Sequence, residues 1–343
     1  MNASVLAHTA GALMSDGRGL LAMDESTDTC NRRFASVGIP QTEEARRAYR
    51  ELLVCTPGLA QSISGAILFD ETIHQRTKDG VPFVTVLRDA GIIPGIKVDL
   101  GAKLLAGHAG ERVTEGLDGL RERLAAYVAM GARFAKWRAV ITIGIGLPTR
   151  ACIAANAHAL ARYAALCQEA TLVPIVEPEV LMDGDHTLDR CREVTRETLL
   201  RTFDQLDRQG VTLEGMILKP TMVVPGLACP VQVDAVAVAD ATVTCLLRAV
   251  PAAVAGIAFL SGGQSGELAS ERLDAMHRQP ASPAARRPWP LSFSFGRALQ
   301  EPALAIWAGN DANRGAAQAA LLHRARCNGA AVRGAYDAAM EAA

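Results

Sequence analysis

Eight short β-rich apolar runs alternate with Ala-, Leu- and Arg-rich helical stretches along 343 residues, and no long Pro/Ser linker divides them. Spaced by roughly one β-loop-α unit each, they predict an α/β fold: a single-domain (β/α)8 TIM barrel rather than an open sheet. The bulk composition agrees. Half the residues are hydrophobic and 21% are charged, which is globular, and a chain this long buries about three quarters of its unfolded surface without a disulfide or metal staple.

The strand runs, in order, are 19–23, 65–69, 92–98, 134–141, 172–176, 215–218, 257–260 and 291–295. Each is four to eight residues long and bounded by Gly, Pro or polar residues, as strand ends are. Between them, helices are predicted over 42–55, 116–130, 149–169, 185–209, 235–249 and 266–276. In 185–209, Leu188, Cys191, Val194, Leu199 and Phe203 form a one-sided apolar stripe with charges between them. The Pro- and Arg-rich stretch 279–290 is expected to be a surface loop. The barrel is expected over 1–325; after that the sequence turns to Ala, Gly and Arg, which predicts a poorly anchored, mobile tail over 326–343.

A net charge of −1 leaves no electrostatic footprint for nucleic acid, and the basic pairs Arg32-Arg33 and Arg286-Arg287 are too short to supply one. Aromatics at 4% also argue against base-stacking platforms. Eight cysteines without a CxxC pair read as reduced core residues. The first residues lack a basic segment followed by a sustained apolar run, and no uncharged stretch has membrane-spanning length. These features predict a soluble cytoplasmic protein with no membrane or nucleic-acid partner.

Only five of the 35 basic residues are lysines, at 78, 97, 103, 136 and 219. Where either cation would serve, this chain uses Arg, so a lysine in an apolar setting invites a chemical explanation: an amine can lose its proton and attack a carbonyl, whereas a guanidinium cannot. In a βα barrel the active site lies at the C-terminal ends of the strands. There the sequence places Met23-Asp24-Glu25-Ser26, Ile96-Lys97-Val98-Asp99, Phe134-Ala135-Lys136-Trp137-Arg138, Val176-Glu177-Pro178-Glu179, Leu218-Lys219-Pro220, Leu260-Ser261-Gly262-Gly263 and Phe293-Ser294-Phe295-Gly296-Arg297. Three of the five lysines fall in this set, while Lys78 and Lys103 are expected at the surface.

Lys219 follows three apolar residues and precedes a proline. Desolvation there favours the neutral amine, a nucleophile able to form a Schiff base with a ketone; the alternative is a lysine snorkelling at a strand end. Glu177 and Glu179, at period two, share one face, where paired carboxylates can give a general acid/base; the alternative is a solvated acidic loop. Ser261-Gly262-Gly263 brings backbone N–H groups within reach of an anion, and Arg297 offers a bidentate guanidinium, together resembling the phosphate site barrels build after their last two strands; a Gly-Gly pair alone is more often only a turn. The seven histidines are isolated and no HExxH occurs, so no metal is expected; no GxxxxGK[ST] loop occurs, and Gly144-Ile145-Gly146 does not complete a dinucleotide fingerprint.

Leu20-Leu21-Ala22-Met23-Asp24-Glu25-Ser26, Gly95-Ile96-Lys97-Val98-Asp99, Phe134-Ala135-Lys136-Trp137-Arg138, the run 173–179, Leu218-Lys219-Pro220 and the runs 259–265 and 292–299 together resemble class I fructose-1,6-bisphosphate aldolase, in family order across residues 5–325. The resemblance implies a metal-independent, cofactor-free lyase of glycolysis and gluconeogenesis acting on sugar phosphates, assembled as a homotetramer. On matching positions it implies that Lys219 forms the Schiff base and Glu177 is the general acid/base. It further implies that Asp24 holds the C4 hydroxyl and that Lys136 favours the neutral form of Lys219 and stabilises developing charge. Ser261, Gly262, Gly263, Ser294 and Arg297 would bind the C1 phosphate, Ser26, Arg33 and Lys97 would reach the C6 phosphate, and Arg138 and Glu179 would support them.

The sequence departs from the family pattern at Thr221, where Asn is usual, at Phe295, where Tyr is common, and at Thr29, where Ser is usual. It ends Glu341-Ala342-Ala343 with Tyr336 internal, unlike the terminal tyrosine of animal members. Two alternatives stand beside the aldolase reading. One is another Schiff-base sugar-phosphate lyase, which two intact phosphate sites argue against. The other is a non-catalytic phosphosugar-binding scaffold, which a complete Asp24, Lys136, Glu177 and Lys219 set argues against.

Overall fold

The computed structural model describes residues 2–278 and 287–342. Residues 279–286, the greater part of the stretch expected as a surface loop, lie outside the described residues. Eight strands close a wholly parallel barrel in chain order: β1 (Gly19–Met23), β2 (Ile63–Leu68), β3 (Ile93–Lys97), β4 (Phe134–Ile141), β5 (Val173–Val180), β6 (Ile217–Leu218), β7 (Gly256–Phe259) and β8 (Leu291–Phe295), with β8 pairing back onto β1. All eight expected strands are present, three of them with the expected bounds.

β5 runs four residues past its expected end, through Pro178 to Val180. The odd-numbered residues face β4: Val173 N–H donates to the Arg133 carbonyl at 3.2 Å and Leu181 N–H to that of Ile141 at 2.9 Å. Pro178 therefore faces β6, whose ladder is only two residues long. A missing N–H there breaks no bond, which is why a proline can sit in a central strand.

The six expected helices are also found, as Glu43–Val54, Leu120–Met130, Arg150–Glu169, Leu188–Arg208, Ala235–Ala249 and Gly266–Arg278. Sequence periodicity misses others. Ala3–Leu13 plugs the N-terminal end of the barrel, Thr27–Ser36 follows β1, and Arg297–Trp307 and Arg314–Val332 follow β8. A two-stranded antiparallel ribbon, Ala102–Leu104 with Arg112–Thr114, rises after β3.

The C-terminal region differs from expectation. The helix Arg314–Val332 crosses residue 325 without interruption, and Cys327, Asn328, Ala330 and Ala331 are buried. Tyr336 is buried too, its N–H donating to Asp274 Oδ1 at 2.8 Å and its hydroxyl to Glu341 Oε1 at 2.7 Å. The Ala- and Gly-rich composition that reads as weak anchoring instead lets this helix approach its neighbours closely.

The barrel interior changes character along its axis. Near the N-terminal end, Leu20, Ile67, Phe134, Val173, Ile175, Ile217 and Ala258 pack with Leu6, Ala10 and Leu13 of the plugging helix. Gly95 leaves room for the Phe134 ring: a Cβ on it would lie 2.2 Å from that ring. A second, larger cluster fills the space between strands and outer helices. The eight cysteines are all unpaired; seven are buried and Cys55 is half-buried. Lys78 and Lys103 are exposed, as expected. No described helix is long and apolar enough to cross a membrane.

Candidate active site

Side chains two apart on a strand share a face. Moving up each strand, the inward series therefore passes from apolar to charged: Leu20, Ala22, Asp24 on β1 and beyond; Phe134, Lys136, Arg138 on β4; Ile175, Glu177, Glu179 on β5; Ile217, Lys219 on β6 and beyond. Backbone pairing sets their heights, with Lys97 beside Lys136 and Arg138 beside Glu177. Lys219 stands just past β6, fixed by its own N–H donating to the Val176 carbonyl at 2.8 Å. A cavity of about 610 Å³ opens at this end of the barrel.

At its floor four ionisable groups form a chain. Lys136 Nζ lies 2.6 Å from Asp24 Oδ2 and 3.1 Å from Glu177 Oε2, and Lys219 Nζ lies 3.3 Å from Glu177 Oε1. Lys136, Glu177 and Lys219 are each only 3% exposed. Burial pushes the Asp24 carboxyl up, but the charges of Lys136 and then Lys219 more than reverse this and hold it well below the usual carboxylate range. Burial likewise pushes the Lys136 ammonium down, and Asp24 and Glu177 reverse that, holding it well above the usual lysine value. Lys136 is thus a fixed cation, while Lys219 shares only one oxygen of one carboxylate.

Glu177 and Glu179 share a face as the period predicts, but they do not pair with one another. Glu179 takes the Arg138 guanidinium, leaving Glu177 to the two lysines. Each carboxylate therefore has its own cationic partners. Asp99 joins the neighbouring groups: its carboxylate accepts from Lys97 at 2.6 Å, from the Arg138 N–H at 3.2 Å and from the Gly101 N–H at 3.1 Å.

The two ends of the cavity are built differently. At one end stand Ser261, Gly262, Ser294, Gly296 and Arg297. The helix Arg297–Trp307 starts at Gly296 without a side-chain cap, so its first N–H groups and the positive end of its dipole are available to an anion. Ser294 Oγ is buried and has no partner among the described residues. Arg297 donates to the Gly262 carbonyl at 2.9 Å and meets no carboxylate among the described residues. Gly262 takes φ +61°, a left-handed turn that a side chain would strain, and a Cβ there would strike Met182 Sδ at 2.3 Å. Gly263 lies outside the cavity lining, and its N–H faces Met182 Sδ at 3.4 Å.

At the other end are Ser26, Arg33 and Lys97. Ser26 caps the helix Thr27–Ser36, its Oγ accepting from the Thr29 N–H at 3.4 Å. Arg33 is paired with Glu25, and Lys97 with Asp99. Cations at this end are already compensated, so an arriving anion has to share them.

Some of the machinery escapes sequence reading. Gln264 is buried; its Oε1 accepts from the buried Arg272 at 2.9 Å and its Nε2 donates to the Ser261 carbonyl at 3.0 Å, holding the 261–264 turn in shape. Gln300 spans β1 and its loop, donating to the Ala22 carbonyl at 2.6 Å and to Glu25 Oε1 at 2.9 Å. Gln264 lies in the run 259–265 and Gln300 beyond the strand ends, and neither is an ionisable or nucleophilic group to which the sequence alone attaches a role. Thr221 and Phe295 have structural accounts: Thr221 Oγ1 donates to the Val180 carbonyl at 2.9 Å, and Phe295 packs against Phe293 with ring centroids 5.4 Å apart.

Residues 5–343 match the family model described as fructose-bisphosphate aldolase class-I. The chain belongs to the class I fructose-bisphosphate aldolase family. A probable fructose-bisphosphate aldolase class 1 from Xanthomonas campestris is 57% identical over 97% of this chain and 99% of its own length. The cytosolic fructose-bisphosphate aldolase 6 of Arabidopsis thaliana is 49% identical over 97% and 92%. Among solved structures, fructose-bisphosphate aldolase from Plasmodium falciparum, crystallised with TRAP and a small-molecule inhibitor, superposes with a TM-score of 0.95 at 46% identity, covering 98% of this chain and 96% of that one. The protein is thus a class I aldolase with a glycolytic role, and its barrel is the one the strand pattern predicts.

Proposed function

We propose that the aldolase reaction runs through a Schiff base on Lys219, with Glu177 as its proton carrier. The observation that carries this is the buried chain Asp24–Lys136–Glu177–Lys219, in which one carboxylate touches both amines. Lys219 passes a proton to Glu177, and the neutral amine attacks the C2 ketone of fructose 1,6-bisphosphate. The carbinolamine loses its hydroxyl as water, taking a proton from Glu177, and leaves an iminium cation beside the carboxylate so formed. Asp24, held ionised by Lys136, accepts a hydrogen bond from the C4 hydroxyl and orients it, while the Glu177 carboxylate takes its proton; the C3–C4 bond breaks, and its electron pair flows into the iminium to give an enamine. Glyceraldehyde 3-phosphate departs. Protonation at C3 through Glu177 and hydrolysis of the imine release dihydroxyacetone phosphate. Lys136 stays charged throughout and offsets the carboxylates beside it.

Ser261, Gly262, Ser294, Arg297 and the uncapped helix start receive the C1 phosphate, and Ser26, Arg33 and Lys97 receive the C6 phosphate, with Arg138 and Glu179 bracing the wall. Gly263 contributes to the turn rather than to the lining. Two anion sites at opposite sides of one cavity favour a bisphosphate over a monophosphate ketose. The uncompensated guanidinium makes the C1 site the stronger of the two. A cytoplasmic homotetramer is the assembly this reading carries, and light scattering reads its mass directly. The chemistry is tested by borohydride reduction in the presence of dihydroxyacetone phosphate followed by peptide mass mapping. A reduced adduct on the Lys219 peptide is expected; full inactivation with the adduct on another lysine, or with none, would refute it.

A further inference from the structure

Away from the barrel mouth, the helix Arg314–Val332 meets the C-terminal turn Ala338–Ala342, and three ligand-type side chains converge there. His323 and Cys327 are one helical turn apart on one face. Cys327 Sγ lies 3.6 Å from His323 Nε2, and Glu341 Oε2 lies 4.0 Å from that same nitrogen. All three ligand atoms fall within 4.8 Å of one another.

The shared nitrogen is what distinguishes the possible roles. In a nucleophilic Cys-His-carboxylate relay the carboxylate orients the imidazole through its other ring nitrogen. Here thiol and carboxylate face one nitrogen, which cannot serve both as acceptor and as donor. Convergence on a common point is the geometry of coordination. With zinc–sulfur bonds of about 2.3 Å and zinc–nitrogen bonds of about 2.0–2.1 Å, a tetrahedral centre places sulfur and nitrogen roughly 3.6 Å apart. The observed separation is the same. The corresponding nitrogen–oxygen edge is roughly 3.3 Å, shorter than the observed 4.0 Å, so Glu341 has to move toward His323 on binding.

We propose that His323, Cys327 and Glu341 form a binding site for a divalent, borderline-soft cation, Zn²⁺ foremost, that clips the C-terminal turn to the helix. One thiolate, one imidazole and one carboxylate suit zinc or cobalt rather than magnesium or calcium, and leave a fourth position for water. The His323 and Glu341 side chains are 30% and 21% exposed, which opens the site to solvent, while Cys327 closes its inner side. On binding, the Cys327 thiol proton leaves to solvent and no electron moves. Tyr336 holds Glu341 Oε1 and Arg324 holds Oε2, so the carboxylate is oriented in advance by outer hydrogen bonds. The Arg324 charge opposes the cation and sets the affinity below that of an unopposed site.

Cysteine and histidine four residues apart are visible in the sequence, but the third ligand comes from the following turn, so no linear metal motif appears. The test is a titration of the chelator-treated enzyme with Co²⁺, followed by near-ultraviolet absorption. A thiolate-to-cobalt band that saturates at one equivalent and is displaced by Zn²⁺ is expected. Cys327→Ala should abolish the band, and His323→Ala should weaken cobalt binding by about tenfold or more. Both variants should keep aldolase activity, which confirms their fold. Absence of the band in the unsubstituted enzyme at one equivalent, or an undiminished band in Cys327→Ala, would overturn the proposal.

Discussion

The two ends of the barrel are made by the same strands and obey opposite rules. At the N-terminal end, Phe134, Ile175 and Ile217 point inward and pack in an apolar cluster. Two residues further along the same strands, Lys136, Glu177 and Lys219 point inward and meet one another's charges, Asp24 and the cavity. Burial is complete in both layers. In the first it releases apolar surface from water and stabilises the fold; in the second it desolvates ions, and replacing such ions by apolar residues is often neutral or stabilising. The upper layer therefore persists for chemistry, and the lower layer supplies the rigidity that holds it.

That division can be broken from above or below. Glu177→Gln keeps size and removes the proton carrier; we expect kcat to fall by about 10²–10⁴-fold and the thermal midpoint to fall, since Lys219 loses its carboxylate while buried, with the variant still folded at assay temperature. A fall in stability large enough to account for the lost activity would mean the layer is structural. Phe134→Ala is the opposite case. It opens a cavity in the lower layer and should cost about 3–5 kcal/mol in urea unfolding, while kcat per folded molecule changes little. A loss of kcat matching that of Glu177→Gln, in protein that remains folded, would erase the distinction.

A smaller effect is the pH dependence of stability. The Asp24 carboxyl is depressed in the fold, so its contribution is complete above the unfolded value of about 3.9 and is lost as pH falls from there through the lower folded value. Lys136 is raised, so its contribution is complete below about 10.4 and is lost as pH rises from there through the raised folded value. The Asp24 and Lys136 contributions to the urea midpoint should be level between these limits and decline on both sides. Asp24→Asn should flatten the acid limb; an unaltered acid limb in that variant would show that the decline arises elsewhere.

The same contrast explains what could be read without a structure. Strands advertise themselves by apolar composition, and polar residues at their ends stand out against it, so the strand-end placement of Lys219, Lys136 and Glu177 is legible from position, while the roles proposed for them come from the resemblance to the aldolase family. Pro178 disguised the last turn of β5, because whether a proline breaks a strand depends on which neighbour its missing N–H faces. The roles of Gln264, Arg272 and Gln300 were not legible, since an amide or guanidinium that shapes a loop does so through tertiary contacts with no local signature. The C-terminal helix was misjudged for a related reason: Ala and Gly read as weak anchors in isolation and as close-packing residues once a partner helix is present.

Arginine is this chain's habitual cation, which makes Lys219→Arg the sharpest single substitution: it keeps the positive charge and most of the length, and it removes only the capacity to form an imine. The measurement is the steady-state cleavage rate of fructose 1,6-bisphosphate by the folded variant. If the amine is the nucleophile, kcat falls by at least about 10⁴-fold while the unfolding midpoint stays within a few degrees of the parent. Retention of a tenth or more of the parent rate would contradict a Schiff base on Lys219.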